Sequence, residues 1–450
     1  MLASIIYSTI TNHNSKEVNF YVLDFGAETL TMFKRAPHVG EVILSTEGEK
    51  ITNLFRMISE LIEERKKLFV DYNGSYDFYI NHGGKQLPFI IIMINNVEAF
   101  IESYQDYEEL LGQLTRDCLK YGVAFIFSTN GPNTVRYRLR QNFKQNVVLQ
   151  FNDPSDYGSV IPGVRKKEPS KIYGRGLILL DGIYEFQTAY PYIEEKMVDY
   201  VKVVSKKLCE KCEYKARNIP VLPEKVTLET LQDVLGNIKA IPFGIERDAL
   251  IPATVDLTKK FIYHISGDDV TSDPYILSAM LKAINKVNNS NMIVLDPNDS
   301  LSGFEAPNCI YDNTSCYSAI DALTTEYQNK LEGATNYTIC VIIGVNSTLS
   351  KLSSIEKSKF TKLIEDSKET GLIKYIFIDT VDVFKNIAFE TWYKPNADLS
   401  DAIWIGNGIS NQFTIKVTTA ARILRAELPP GFGYIVNKGK ANVVKLITEE

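Results

Sequence analysis

Residues 87–100 read LPFIIIMINNVEAF, and at their centre FIIIMI (89–94) is an unbroken apolar run bounded by a proline before it and amide side chains after it. A run this short, with no polar alternation, suits a strand covered on both faces, as strands of parallel sheets are. Two further runs have the same character, VNFYVLDF (18–25) and VAFIFS (123–128). Between them lie KITNLFRMISELIEERKKLF (50–69) and YEELLGQLTRDCLK (107–120), where apolar residues recur every three or four positions and the rest are mostly charged. That is the pattern of helices with one buried and one solvated face. Strand, helix, strand, helix, strand predicts an α/β fold around a parallel sheet.

The same order returns in the second half. NMIVLD (291–296) answers FYVLD (20–24), YTICVIIGV (337–345) answers 89–97, and IKYIFID (373–379) answers 123–129. Asp296 follows Asp24 by 272 positions, and the turn and strand GRGLILL (174–180) return 257 positions later as GFGYIV (431–436). Constant order at nearly constant spacing predicts one module present twice. Residues 198–215 read as a charged helix, and 218–254 carry four of the 17 prolines without a long apolar run, which marks a structured linker. The expected division is a first module over 1–204, a linker over 205–254 and a second module over 255–450.

Composition narrows the function. The 450 residues hold 49 Lys plus Arg against 55 Asp plus Glu, a net charge of −6, so no global positive field would hold a nucleic acid backbone. The six cysteines (118, 209, 212, 309, 316, 340) are too few and too uneven for a disulfide framework and suit reduced thiols. Cys209 and Cys212 form one CxxC with no second pair, and the four histidines (13, 38, 82, 264) are scattered, so no metal site is expected. No apolar run approaches the length of a membrane span, and the N-terminus lacks a signal-peptide pattern.

In α/β sheets, phosphates are held beyond the carboxyl ends of strands by a Gly-rich loop that opens a helix, where free N–H groups and the helix dipole face the anion. In the second module that position is FIYHISGDDVTSDPYILSAML (261–281). The GxxxxGK[ST] pattern is missing. The loop holds Gly267, Asp268, Asp269, Thr271, Ser272 and Asp273, with carboxylates where glycines and the phosphate-binding lysine would stand. At an effective dielectric of about 20, exchanging an attractive for a repulsive charge beside a phosphate costs several kcal/mol, so ATP is not expected to bind there. On the 272-residue offset the first module's loop falls before residue 1, and residues 1–11 read as the helix after it. The sequence is therefore expected to begin inside a fold, as a piece of a longer chain.

A hydrolytic strand of this type ends in Asp-Glu, one carboxylate for Mg²⁺ and one as general base for water. Here the first copy ends Ile94-Asn95-Asn96-Val97-Glu98 and the second Ile343-Gly344-Val345-Asn346-Ser347. Asn95 can offer a metal its carbonyl and Asn96 can orient a water, but neither takes a proton, and Glu98 stands two places late. The alternative is that both asparagines are strand-end turn residues.

Taken together, EVNFYVLDFGAETL and PHVGEVI (within 17–43), LPFIIIMINNVEAF (87–100), GVAFIFSTNGPNTVRYRLRQNF (122–143) and YGRGLILLDGIYEFQTAYPY (173–192) resemble the FtsK/SpoIIIE-type ATPase modules of type VII secretion. The resemblance is to the C-terminal pair in the EssC/EccC/YukB-like ATPases. The connecting IPVLPEKVTLETL (219–231) and PFGIERDALIPATVDLTKKF (242–261) are similar to the segments joining the second and third modules of that family. The resemblance implies two tandem RecA/P-loop-like parallel-sheet domains with helices on both faces, ATP and Mg²⁺ as the family's cofactors, and assembly as a homo-multimer. It also implies a parent protein anchored at the cytoplasmic face of the cell membrane, and WXG100-type secreted proteins recognised through a C-terminal export signal.

Ser128, Thr129 and Asn130 match the family's polar sensor position, or else cap a turn. Arg138 and Arg140 lie where such subunits offer a basic residue to a neighbour's nucleotide, or else belong to a solvated basic segment. Arg175, between two glycines, reads as a strand-start turn. A groove for a helical substrate is expected near Tyr275, Leu277 and Met280, unless these are core. The function so implied is a degenerate pair that binds secreted substrates and regulates a motor elsewhere in the parent chain. The alternative is an ATP-hydrolysing module working in a multimer; DNA translocation fits the charge poorly.

Overall fold

The computed structural model describes residues 1–132, 134–164 and 167–449. The chain forms two compact units, Met1–Val221 and Leu222–Glu450.

The first unit runs α1 (Leu2–Asn12), β1 (Val18–Asp24), β2 (Val39–Leu44), α2 (Gly48–Leu68), α3 (Tyr76–Asn81), β3 (Phe89–Asn95), α4 (Val97–Ser103), α5 (Tyr107–Asp117) and β4 (Val123–Phe127). It continues with α6 (Tyr137–Arg140), β5 (Val147–Val148), α7 (Asp156–Val160), β6 (Arg175–Leu179), β7 (Ile183–Gln187) and α8 (Met197–Lys211). Its main sheet has the order β2-β1-β3-β4, every pair parallel. Strands β5, β6 and β7 form a small antiparallel sheet.

Alternation along β1 sorts the core. Tyr21 and Leu23 pack with Ile51 and Leu54 of α2, Phe100 of α4 and Leu111 of α5. Phe20 and Val22 pack on the other face with Ile6 and Ile10 of α1 and Val201 of α8. Each such side chain taken fully from water contributes about 1.5–3 kcal/mol, which is why both faces must be covered by helices.

Residues 214–220 run beside β2 and α2. The amide of Ala216 donates to the Pro37 carbonyl at 2.7 Å, Tyr21 Oη to the Arg217 carbonyl at 2.8 Å, and Asn53 Nδ2 to the Pro220 carbonyl at 2.9 Å. Ile219 is 3% exposed, within the α2-side core. The approach is close enough to require glycine in β2, since a Cβ at Gly40 would lie 2.6 Å from the Arg217 carbonyl.

The second unit runs β8 (Ile241–Glu246), β9 (Pro252–Val255), β10 (Ile262–Gly267), α9 (Pro274–Asn285), β11 (Ser290–Leu295), β12 (Cys309–Asp312), α10 (Tyr317–Leu331) and β13 (Tyr337–Ile343). There follow α11 (Val345–Lys351), α12 (Ser354–Ser367), β14 (Ile373–Ile378), α13 (Val381–Ile387), β15 (Ala397–Ile405), α14 (Ala421–Leu424), β16 (Phe432–Asn437) and β17 (Lys440–Leu446). Its ten strands are ordered β12-β11-β13-β14-β10-β15-β16-β17-β8-β9.

The parallel segment β12-β11-β13-β14 repeats the order β2-β1-β3-β4. The turns before β6 and β16 also match, with Gly174 at φ 79° and Gly431 at φ 80°, a left-handed backbone that glycine adopts without strain. The expected α/β fold with tandem parallel sheets is what the chain adopts. Beyond that expectation, four antiparallel strands, β16, β17, β8 and β9, extend the second sheet. The proline-rich stretch thus supplies β8 and β9 of that sheet. Among the described residues no helix is long and apolar enough to cross a membrane.

Candidate functional site

In the first unit the carboxyl ends of β1, β3 and β4 are joined by a chain of side-chain hydrogen bonds. Asp24 closes β1 at 1% exposure. Its Oδ2 accepts the Leu30 amide at 3.0 Å, which pins the loop after the strand, and its Oδ1 accepts the Gly26 amide and Asn95 Nδ2, the latter at 2.8 Å. Asn95 Oδ1 accepts Ser128 Oγ at 2.7 Å, and Ser128 Oγ accepts the Asn96 amide at 2.9 Å. Both ends of the Asn95 amide are thus engaged by neighbouring strands.

Asn96 has φ 62° and caps α4 by accepting the Ala99 amide at 3.4 Å. Glu98, in the first turn of α4, takes Asn130 Nδ2 on Oε1 at 3.4 Å, while its shielded Oε2 has no partner. The structure therefore gathers Asn95, Asn96 and Ser128 into one network and Glu98 with Asn130 beside it. Thr129 closes its own turn with Gly131. Arg138 is exposed, and Arg140 is spent on the Pro132 carbonyl at 2.6 Å; neither joins the network.

A cleft of about 530 Å³ opens at this edge of the sheet, lined among others by Leu30, Met32, Asn95, Tyr173, Arg175 and Thr188. Arg175 Nε and Thr188 Oγ1 are shielded there without hydrogen-bond partners. Buried polar atoms are rarely left unpaired, which makes these two stand out among the atoms of the cleft residues. Arg175 stands where it was read, at the strand-start turn of β6, and the structure adds that its Nε is shielded without a partner.

In the second unit the loop after β10 is closed on itself. Asp273 is the N-cap of α9, its Oδ1 accepting the amides of Tyr275 at 3.1 Å and Ile276 at 3.2 Å, with Pro274 at the first helical position. Ser272 Oγ donates to the Asp269 carbonyl at 2.8 Å and Thr271 Oγ1 to Asp269 Oδ1 at 3.4 Å. Gly267 ends β10, and a Cβ there would lie 2.9 Å from the Ile405 carbonyl. Asp268, like Asp269, is exposed. The amides a phosphate would need are therefore held by the chain's own carboxylate.

At the neighbouring strand ends, Asp296 Oδ2 accepts the Leu301 amide at 3.0 Å and Tyr311 Oη at 2.8 Å, repeating the role of Asp24. Asp379 accepts the Thr380 amide at 2.8 Å and the Asn346 amide at 3.2 Å; burial raises its pKa, and the hydrogen bonds oppose that rise.

Tyr275, Leu277 and Met280 are not brought together as a groove. Leu277 and Met280 are both 0% exposed, inside the core that α9 forms against the sheet, and only Tyr275, at 63%, faces outward. The reason is helical geometry: on a helix covering a sheet, the apolar stripe turns inward.

Of the ATP and Mg²⁺ implied by the resemblance, neither fits the second unit, where Asp273 occupies the helix terminus. The first unit's cleft, about 530 Å³, is large enough for a nucleotide. At the end of β3, however, Asp24 is bound into its loop, and the carboxylate oxygen left without a partner there, among the described residues, is Glu98 Oε2. Among the described residues no three His, Cys, Asp or Glu groups converge on a common point.

Comparison with known proteins agrees with this architecture. Residues 1–169 match the FtsK/SpoIIIE family model. The chain is 24% identical over 472 aligned residues to the type VII secretion system protein EssC of Staphylococcus aureus, an alignment covering 99% of this chain and 31% of that protein. It is 27% identical over 289 residues to the ESX secretion system protein YukB of Bacillus subtilis, covering 62% of this chain and 19% of that one. The chain thus spans less than a third of the length of either relative.

Among solved structures, EssC (ATPases 2 and 3) from Geobacillus thermodenitrificans superposes with a TM-score of 0.83 at 19% identity, covering 100% of this chain and 88% of that one. Thermomonospora curvata EccC (ATPases 2 and 3), in complex with a signal sequence peptide, gives 0.55 at 20% identity, covering 100% and 85%. These structures show the fold. The FtsK/SpoIIIE likeness lies in the first unit, and the similarity to EssC extends along nearly the whole chain.

Proposed function

We propose that this chain, whose relatives are type VII secretion ATPases, is a non-hydrolysing docking and regulatory part of such a motor. It binds secreted WXG100-type proteins through their C-terminal export signal, at the cytoplasmic face of the membrane, and conveys occupancy to hydrolysing modules of a multimeric parent. The observation that carries this reading is the Asp273 carboxylate seated on the first amides of α9. An anion already occupies the position at which a triphosphate would be held. Asn95, tied to Asp24 and Ser128, supports the same conclusion for the first unit.

The molecule also contains a precedent for peptide docking. Residues 214–220 lie beside β2, while the corresponding strand β12 has no strand paired to its outer side among the described residues, and Ile310 on it is 45% exposed. An extended peptide added at such an edge gains backbone hydrogen bonds and a pocket for alternate side chains. That Thermomonospora curvata EccC (ATPases 2 and 3) is solved in complex with a signal sequence peptide supports peptide binding by such a pair of modules.

A second reading, favoured by the unpaired Arg175 Nε and Thr188 Oγ1 in the first unit's cleft, is that this unit holds a nucleotide without turning it over. Isothermal titration with Mg-ATP and with a WXG100 C-terminal peptide separates the two. Peptide binding without phosphate release is the expected result. Steady phosphate release by the chain would overturn the proposal.

A further inference from the structure

Cys209 and Cys212, the one CxxC of the chain, take no part in the sites described above. The other four cysteines are enclosed. Cys118, Cys316 and Cys340 are buried, and burial pushes the Cys309 thiol up to about 11. Cys209 and Cys212 are half-buried, three positions apart at the last turn of α8.

Their spacing suits a disulfide at the backbone and is slightly too wide at the side chains. The Cys212 amide still donates to the Leu208 carbonyl at 3.0 Å, so the helical path reaches this residue before its ψ of 127° carries the chain away. Three residues of helix separate two Cα atoms by about 5 Å, inside the range a disulfide spans. The Cβ atoms of such a pair lie about 5–6 Å apart, against about 3.5–4.5 Å in a disulfide, so closing the bond requires a movement of about 1–2 Å.

The end free to move is Cys212. Cys209 belongs to a helix held through Val201 and Leu208 in the cluster with α1. Beyond Cys212, Glu213 is exposed and tied only to Lys16, at 3.6 Å, among the described residues. The Tyr214 carbonyl then accepts Ser15 Oγ at 2.6 Å, two residues from the thiol. The seat that follows has no slack. The bonds from the Ala216 amide and from Tyr21 Oη are 2.7 and 2.8 Å long, and a Cβ at Gly40 would lie 2.6 Å from the Arg217 carbonyl. A hydrogen bond of that length, stretched by about 1–2 Å, is lost.

From this placement we propose that Cys209 and Cys212 are a redox-modification site, closed reversibly by a small anionic disulfide of the glutathione type, and that closure draws residues 214–220 off β2. One cysteine thiolate attacks a sulfur of the oxidant and expels the first small thiol; the other thiolate attacks the resulting mixed disulfide and expels the second. Two cysteine thiols and one oxidant disulfide thus become one protein disulfide and two small thiols, the oxidant taking up both electrons and both protons. Lys206, Lys207, Lys211 and Lys215 outnumber Glu210 and Glu213 along this segment, which favours approach of an anionic oxidant. The inference stands whatever the chain binds, since neither thiol belongs to the candidate sites.

Incubating the full chain with glutathione disulfide tests it. Trypsin cuts after Lys207, Lys211 and Lys215, so the two thiols fall on separate peptides, 208–211 and 212–215, which the disulfide alone holds together. The expected product is a chain two hydrogens lighter that yields this linked pair in a non-reducing digest and loses it after treatment with dithiothreitol. Amide exchange along 214–220 should speed up about tenfold or more in the oxidised chain and return to its former rate on reduction. Cys209→Ser and Cys212→Ser should each give neither the link nor the faster exchange. A chain that keeps both thiols, glutathione adducts that never resolve, linkage to another cysteine, or a 209–212 link that leaves exchange along 214–220 unchanged would overturn the proposal.

Discussion

Replacing Asp273 by alanine tests the reasoning about the second unit most directly. The substitution removes the acceptor for two amides, at 3.1 and 3.2 Å, and a negative charge from the positive end of α9. Loss of an N-cap costs about 1 kcal/mol, and loss of the favourable charge at a partly exposed helix terminus about 0.5 kcal/mol more. For a unit of this size, each kcal/mol shifts the midpoint by about 2–4 °C, so Asp273→Ala should lower the second unit's unfolding temperature by about 3–6 °C. Asp273→Ser keeps a capping oxygen without the charge and should lose only about 1–2 °C. Scanning calorimetry with and without Mg-ATP reads both points. Nucleotide should leave the second unit's transition unmoved in the natural sequence, because a ligand that does not bind the native state adds no stability. Two outcomes would refute the reasoning: an alanine variant as stable as the natural sequence, or a Mg-ATP-dependent rise that Asp273 substitutions change.

Three further outcomes follow from the geometry. Asn95→Ala strips Asp24 of its strand-to-strand donor and leaves Ser128 without its acceptor; urea denaturation should show the first unit destabilised by about 1–3 kcal/mol. Asn95→Asp sets two carboxylates side by side in the same place, so that variant should be weakest near neutral pH and regain stability as the pH falls and one of them protonates. The Lys260 ammonium, with help from Ser400, holds the Asp398 carboxyl well below the usual carboxylate range, so its contribution is present above the unfolded value of about 4 and lost as pH falls further. Asp398→Asn should therefore flatten the acid limb of the second unit's stability profile, measured by fluorescence-detected unfolding between about pH 5 and pH 2. Ile219→Ala, at a site 3% exposed, should cost about 2–5 kcal/mol of local stability and speed hydrogen exchange along residues 214–220 and β2.

What could be read from the residues divides along the range of the interactions. FIIIMI and its counterparts declared buried parallel strands because burial on both faces leaves a local signature, and the duplication followed from spacing alone. The acidic loop at 268–273 was also visible, although Asp273 entered as a charge repelling phosphate, and its role as a cap lay in the Asp-Pro pair opening an apolar-periodic helix. The unread parts rest on distant partners. Asn95 meets Asp24 across 71 positions, and Tyr21 meets the Arg217 carbonyl across 196. No periodicity encodes either contact. Leu277 and Met280 have the spacing of groove anchors and of core alike, and only the sheet opposite decides between them. Arg175 stood in a recognisable turn, but its unpaired Nε depends on the walls that residues 149, 173 and 188 build around it.

The backbone at Asn96 bears on how such a module could evolve. At φ 62°, this position suits asparagine, whose short amide tolerates the left-handed region, whereas a glutamate there is disfavoured by roughly 1–2 kcal/mol. Gly344, at φ 75°, sets the same condition in the other copy. An acidic residue placed at either point would meet conformational resistance. On the proposed reading, in which the chain does not hydrolyse nucleotide, that state acts as a ratchet, reversed only by several coordinated changes.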